Sequence, residues 1–257
     1  MTADVAISKS DGAQILRLTR SAKKNALTSA MYAALCDAIE RGDDDHAIAA
    51  HVIFGSGGVF SAGNDLGDFL ATARGTADLS KDVLRFIRLL PVIRKPLIAA
   101  VDGAAIGVGT TMLFHCDLVY ATHEATFATP FLDLGLIPEA ASSLLMPTRM
   151  GYARAFEMLA LGETFSAERA LSAGFVNRIV SADDLEATAL EAARKLAKKP
   201  PEALAVTRQL LRGNPVEVLK TIDREAVAFR ERLSSPEAQE AFAAFFEKRP
   251  PNFRKPV

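Results

Sequence analysis

The chain is short of cysteine, of net charge and of long apolar runs, and each shortage removes a class of protein. Its two cysteines, Cys36 and Cys116, cannot build a disulfide framework in 257 residues, so a reducing, cytoplasmic setting is expected. A net charge of −1 leaves no electrostatic footprint for nucleic acid or an acidic membrane. The most apolar stretch, 96–116, is broken by Pro96, Asp102, Gly103, Gly107, Gly109 and His115, so no membrane span is expected. The opening Met-Thr-Ala-Asp-Val-Ala has no basic segment leading into an apolar one, and no secretory signal is expected. His46, His51, His115 and His123 show no metal spacing and read as structural or surface residues. The glycines form neither G-x-G-x-x-G nor G-x-x-x-x-G-K-S/T, and no G-x-S-x-G elbow occurs.

What is present is an ordinary globular composition, 49% hydrophobic and 24% charged. A hairpin is predicted around Asp11-Gly12, and a helix from a Thr28 cap to Arg41. Buried strands are predicted at 51–54, 96–101, 118–121 and 126–128, with an amphipathic helix at 79–94 and a short one at 110–115. Residues 55–67 are glycine-rich and read as loop. Beyond Glu139 helices dominate: 153–161, 167–173 capped by Ser166, 183–198, 203–212, 215–233 and 236–248, with a strand-like edge at 176–180. Strands alternating with helices, then helices alone, predict an α/β core over 1–195 and a helical region over 196–257.

Two stretches stand out. The glycine loops at 55–67 and 102–111 each follow a buried strand, so both lie at the carboxyl edge of a sheet, where α/β ligand sites form. Two such loops can present two backbone N–H groups to one oxygen. The segment 130–146 then puts a single glutamate, Glu139, among Leu134, Leu136, Ile137, Leu144, Leu145 and Met146. Because it follows Pro138, Glu139 is predicted in the first turn of a helix, where a carboxylate stabilises the dipole by only ~0.3–1 kcal/mol. An apolar setting would instead make it a stronger base. The residues alone leave both roles open. Asp65 reads as a turn residue or a ligand contact, Asp117 as the anchor of its strand, and Ser142 and Ser143 as capping or packing residues.

Taken in order, several motifs resemble those of the crotonase (enoyl-CoA hydratase/isomerase) superfamily. They are Asn25-Ala26-Leu27, Phe60-Ser-Ala-Gly-Asn-Asp-Leu66, Asp102-Gly-Ala-Ala-Ile-Gly-Val-Gly109, Cys116-Asp117, Ala167-Glu-Arg-Ala-Leu-Ser-Ala-Gly174 and Phe245-Phe-Glu-Lys-Arg-Pro250. The resemblance covers nearly the whole chain. It implies an α/β spiral of ββα units with C-terminal helices that assemble a homotrimer or a hexamer of two trimers. It also implies an acyl-CoA thioester as substrate, with coenzyme A part of that substrate and no further cofactor or metal. The N–H groups of Asn64 and Val108 are then an oxyanion hole, Ala62, Asp65 and Leu66 line the substrate, and Lys24 and Lys248 are candidates for the CoA phosphates. Hydratases of the family hold water with two glutamates; the matching positions here are Thr111 and Phe131. What remains is Glu139, as in the peroxisomal-type Δ3,Δ2-enoyl-CoA isomerases. The ending Lys255-Pro256-Val257 is not a peroxisomal tripeptide, so a bacterial-type cytosolic enzyme is expected. A hydratase, another crotonase-type reaction and a non-catalytic acyl-CoA-binding protein remain the alternatives. Residues 68–82 and the segment after Phe131 are expected to shape the acyl pocket.

Overall fold

We describe a computed structural model covering residues 4–65, 67 and 80–253. It opens with the predicted hairpin. Asp11 and Gly12 take φ of 48° and 82°, the positive values that a two-residue turn needs, between β1 (Val5–Ser10) and β2 (Ala13–Leu18). The Thr28 hydroxyl accepts the Met31 N–H and starts α1 (Ser29–Asp44), which buries Met31, Tyr32, Leu35, Cys36 and Ile39 at helical spacing.

From there the chain spirals. Each turn lays one strand in a large sheet and the next in a small one. The first turn is β3 (Ala50–Phe54) then β4 (Val59–Ser61), with α2 (Ser80–Leu89) following later. The second is β5 (Leu97–Val101), β6 (Ala104–Ile106) and α3 (Val108–Thr111), continued by a 3-10 turn over Met112–His115. The third is β7 (Leu118–Thr122), β8 (Thr126–Ala128) and a 3-10 turn over Leu132–Leu134. Then come α4 (Ser142–Met150), α5 (Tyr152–Leu159), β9 (Phe165–Ser166), α6 (Ala167–Ser172) and β10 (Arg178–Val180). The large sheet runs β1-β2-β3-β5-β7-β10 and the small sheet β4-β6-β8-β9. Apart from β1–β2 and β8–β9, neighbouring strands are parallel. This is the expected spiral of ββα units.

One face of the large sheet meets α1 and the small sheet. The other is covered by α7 (Ala182–Ala197), whose Leu185, Ala189 and Ala193 pack on Ile15, Val52, Phe54 and Ile98. Burial on both faces explains why these strands read as continuous apolar runs rather than alternating ones. The helical C-terminal part is α8 (Pro201–Arg212), α9 (Pro215–Leu233) and α10 (Pro236–Glu247). It is stitched to the spiral by Arg208, whose Nε donates to Asp117 Oδ2 at 2.9 Å, and by Arg212, which donates to the His115 carbonyl at 2.9 Å. Asp117 also accepts the Leu97 N–H at 2.8 Å, so it anchors its strand as expected.

Three expectations need correction. The 55–67 stretch is not all loop, because Val59–Ser61 forms β4 by pairing with β6, itself hidden in the expected turn at 102–111. A three-residue strand carries no periodicity of its own. The short helix starts at Val108, not Thr110. The amphipathic helix ends at Leu89 and tightens into a 3-10 turn over Leu90–Val92, with Pro91 breaking the regular ladder.

The two glycine loops abut. A Cβ on Gly63 (φ +86°) would sit 2.8 Å from the Ile106 carbonyl oxygen, and one on Gly107 would sit 4.0 Å from Gly63 Cα. Gly63→Ala should therefore lower Tm by several degrees, since such strain costs about 1–3 kcal/mol and each kcal/mol is worth roughly 2–4 °C at this chain length. Gly58→Ala is the control: its φ is also positive, +70°, but nothing lies within 4 Å of its Cβ. Thermal unfolding checks the pair, and an equal loss in both would mean that the close approach of the loops carries no weight.

Candidate active site

The first loop is almost fully hydrogen-bonded. Ala62 N–H donates to the Lys24 carbonyl (2.9 Å), Gly63 N–H to Ser61 Oγ (3.1 Å) and Asp65 N–H to the Leu27 carbonyl (2.9 Å), while the Gly63 carbonyl accepts Leu27 N–H (2.7 Å). In the second loop Gly107 N–H donates to the Ala128 carbonyl, and the Gly107 carbonyl accepts Thr110 and Thr111 N–H, each at 2.9 Å. The N–H groups of Asn64 and Val108 meet no acceptor among the described residues. They follow directly on Gly63 and Gly107, the two glycines in contact. The Asn64 side chain is fixed from α1: Tyr32, fully buried, donates its hydroxyl to Asn64 Oδ1 at 2.5 Å.

Glu139 does not stand in the first turn of a helix. Helix α4 begins three residues later, and the intervening Ala140 and Ala141 both take left-handed conformations, φ 56° and 57°. For residues with a Cβ, each such position costs about 1–2 kcal/mol. The Glu139 side chain is only 6% exposed. Thr111 Oγ1 donates to its Oε1 at 2.5 Å, while Oε2 is buried with no partner among the described residues. Burial raises its pKa, the Thr111 hydrogen bond lowers it, and the Glu225 carboxylate raises it, for a result pushed up to about 7. Burial, with Glu139 close by, holds the Tyr32 phenol protonated far above its usual range. His115, pushed down to about 3 by burial, is neutral; its Nε2–H donates to the Ala140 carbonyl at 2.7 Å.

The structure thus brings Asn64, Val108, Thr111 and Glu139 into one cluster. The two positions matched to the hydratase glutamates hold the hydrogen-bond donor of Glu139, Thr111, and a buried phenyl, Phe131. Asp65 is committed to the protein: its Oδ1 accepts Gly67 N–H (2.9 Å) and its Oδ2 pairs with Arg20 (2.7 Å). Ala62 sits half-buried beside Gly63, and Lys24, exposed, is joined to the loop only through its carbonyl. Lys248 caps α10 with φ 53°, and no contact among the described residues ties it to the cluster. Leu66, residues 68–79 and Lys255-Pro256-Val257 lie outside the described residues. Tyr32 and Glu225 were missed by sequence reasoning. Both read as ordinary residues of amphipathic helices. Among the described residues no set of three His, Cys, Asp or Glu side chains could hold a metal, and no helix is long and apolar enough to cross a membrane.

The profile of the enoyl-CoA hydratase/isomerase family matches residues 8–256. The chain belongs to this family. Enoyl-CoA delta isomerase 2 of Rattus norvegicus is 33% identical over 251 residues, covering 96% of this chain but 64% of that protein, so the chain spans less than two thirds of its length. The 1,2-epoxyphenylacetyl-CoA isomerase of Escherichia coli K12 is 34% identical, covering 94% of this chain and 95% of that one. The 2,3-dehydroadipyl-CoA hydratase of the same organism is 31% identical, covering 98% of both. A solved enoyl-CoA hydratase/isomerase from Pseudoalteromonas atlantica T6c superposes with a TM-score of 0.92 at 42% identity, over 97% of this chain and 99% of that one. The fold is therefore the crotonase fold. Isomerase and hydratase names occur at similar identity, so the reaction must be argued from the site.

In this crotonase-family site a carboxyl group near neutrality can both take and return a proton. Its burial also has a thermodynamic signature. A folded pKa of about 7 against an ordinary 4.5 gives stability that is fully present below 4.5 and lost as pH rises through 7. At about 1.4 kcal/mol per pH unit, the loss approaches about 3 kcal/mol. Glu139→Gln abolishes that loss, so its Tm advantage over wild type should open between about pH 4.5 and 7 and persist above. This differs from a first-turn glutamate, whose removal would barely change stability. A Tm difference that stays constant across the range would show that Glu139 is not desolvated.

Proposed function

We propose that the protein is an enoyl-CoA isomerase, moving a double bond from C3 to C2 of an acyl-CoA thioester. The observation that carries this is the buried carboxylate of Glu139, with one oxygen held by Thr111 and the other without a partner among the described residues. The thioester oxygen accepts hydrogen bonds from Asn64 and Val108 N–H, an oxyanion hole in which each donor supplies ~3 kcal/mol of barrier lowering. Charge drawn onto that oxygen acidifies C2. Glu139 Oε2 takes the C2 proton, the C2–H electron pair becomes part of a dienolate across C1 to C4, and the same carboxyl returns the proton to C4. Nothing is consumed. The likeness to rat enoyl-CoA delta isomerase 2 supports the same reading. The likeness to a hydratase keeps addition of water to a 2-enoyl thioester as the competing reaction. Against it stand Thr111 and Phe131 at the two positions whose glutamates would hold that water.

Glu139→Gln should lower kcat for a 3-enoyl-CoA ~10²–10⁴-fold with little effect on KM. Asp133→Asn is the control, an exposed acid in the 3-10 turn ahead of Glu139. Rapid hydration of 2-enoyl-CoA without isomerisation of 3-enoyl-CoA would make the protein a hydratase. Acyl-CoA binding with no turnover that Glu139→Gln removes would make it a binding protein.

In the same reading residues 1–195 carry the acyl-CoA site and 196–257 the assembly surface of a homotrimer or hexamer. Exposed apolar side chains on the C-terminal helices support this: Leu210 and Leu211 are 78% and 83% exposed, and Phe245 and Phe246 point outward while Phe242 is buried. Lys248, beside those phenyls, is proposed to reach the CoA phosphates, with Lys24 a second candidate. No cofactor beyond the substrate's coenzyme A is invoked. The buried free thiols of Cys36 and Cys116 suit a reducing compartment such as the cytoplasm. Lys248→Ala should raise KM several-fold at nearly constant kcat, because a remote phosphate contact binds ground and transition states alike. Light scattering should give a trimer or hexamer mass; an active monomer would remove the interface.

A further inference from the structure

We propose that Glu225, in the middle of α9, is a positioning residue for Glu139, holding the Ala140–Ala141 turn from a distant helix and setting its negative charge against the base. This deepens the reading of Glu139 as the base and rests on it.

Glu225 is only 7% exposed although it lies on a charged stretch, Asp223-Arg224-Glu225. Its carboxylate is fully occupied. Oε2 accepts Ala141 N–H at 2.6 Å, and Oε1 accepts Ser143 N–H at 3.1 Å and Ser143 Oγ–H at 2.5 Å. Those N–H groups belong to the start of α4, whose cap residue, Ala141, has no side chain able to cap it. Glu225 does the capping instead, from 82 to 84 residues away in sequence. The role expected of Glu139, a carboxylate at the helix N-terminus, is thereby filled, and Glu139 is left to point elsewhere.

The turn itself needs holding. Ala140 and Ala141 are both left-handed, and their polar groups are gripped from outside: the Ala140 carbonyl by His115, the Ala141 N–H by Glu225. Upstream, a Cβ on Gly135 would lie 2.7 Å from Ala238 N, so the start of α10 sits directly on the segment leading to Glu139. The direction of the Glu139 side chain is therefore fixed between α9, α10 and the Thr111 hydroxyl.

The charges facing this pair come from several elements. Burial raises the Glu225 carboxyl above its ordinary range, and the Ser143 and Ala141 donors of α4, with Arg224 on its own helix, work against that rise. Glu139 faces Glu225, the Thr111 hydroxyl of α3 and the Tyr32 phenol of α1; His115 beside Ala140 is neutral. Glu225 thus supplies the like charge and Thr111 the opposing hydrogen bond.

The test is the 13C-carboxyl titration of Glu139 by NMR, its signal assigned by loss in Glu139→Gln, together with kinetics on a 3-enoyl-CoA. Glu225→Gln removes the charge and mismatches one of the donors. The Glu139 midpoint should fall below that of wild type, with kcat down roughly 10- to 100-fold, as for a misplaced catalytic group, and KM little changed. Glu225→Asp keeps the charge and should return the midpoint to the wild-type value. Thr111→Val, which strips the hydrogen bond, should move the midpoint the other way. A merely structural Glu225 would lower Tm and leave the midpoint alone, so an unmoved midpoint in folded Glu225→Gln overturns the proposal whatever happens to kcat. If Glu225→Gln does not fold, Ser143→Ala takes its place: it should lower kcat and shift the midpoint, and wild-type values for both overturn the proposal. The underlying assignment fails separately, if Glu139→Gln retains full turnover while the midpoints still move.

Discussion

The desolvation of one carboxylate is the constraint on which the site depends. An ionised glutamate taken out of water loses several kcal/mol of hydration unless something replaces it. Here the Thr111 hydroxyl replaces part of it, while the other oxygen has no partner among the described residues and the carboxyl is pushed up to about 7. Such an arrangement does not form spontaneously. The chain reaches it through two consecutive left-handed alanines, and strain of that kind persists only where the surroundings over-determine it. The surroundings do so: His115, Glu225, the start of α10 and Thr111 each fix one part of the segment. Stability is given up at Glu139 and recovered in the hydrogen bonds around it.

The spiral explains why the remaining groups arrive at the same place. Successive turns put β4, β6 and β8 side by side and in parallel, so the loops leaving them emerge at one edge. Backbones can approach that closely only where no Cβ intervenes. Gly63 against the Ile106 carbonyl, Gly55 with its would-be Cβ 2.3 Å from the Val59 carbonyl oxygen, and Gly103 with its own 2.0 Å from the Gly58 carbonyl oxygen are such positions. With the neighbouring donors of Ala62, Gly63, Asp65, Gly107, Thr110 and Thr111 satisfied internally, the N–H groups of Asn64 and Val108 are left without an acceptor among the described residues.

Features governed by local chemistry were legible in the sequence. Asp11-Gly12 announced its hairpin, Thr28 and Ser166 their helices, and the apolar runs their buried strands. Both glycine loops and Glu139 were visible as candidates. Features created by distant partners were not. The strands β4 and β6 exist only because each pairs with a segment more than forty residues away. The helix start was misplaced because Ala140 and Ala141, good helix formers by propensity, are turned left-handed by contacts that residues 138–146 do not reveal. Tyr32 and Glu225 lie on helix faces whose neighbours only the fold supplies, and the outward turn of Phe245 and Phe246 depends on how α10 docks.

The choice between one carboxylate and two is itself electrostatic. Two carboxyl groups sharing a water-filled site split their titrations, one held ionised and the other raised. They suit a reaction that must position and deprotonate a water. Here Thr111 stands at one of those positions and spends its hydroxyl on Glu139. The second buried acid, Glu225, has both oxygens turned away onto backbone and hydroxyl donors of α4. It bears on Glu139 through the Ala141 turn that it holds and as a field. A lone base tuned by one hydrogen bond and one remote charge sits close to the point where losing and gaining a proton are equally easy. In the proposed isomerisation that balance serves a proton shuttle between two carbons of one substrate, which needs no second group to hold water.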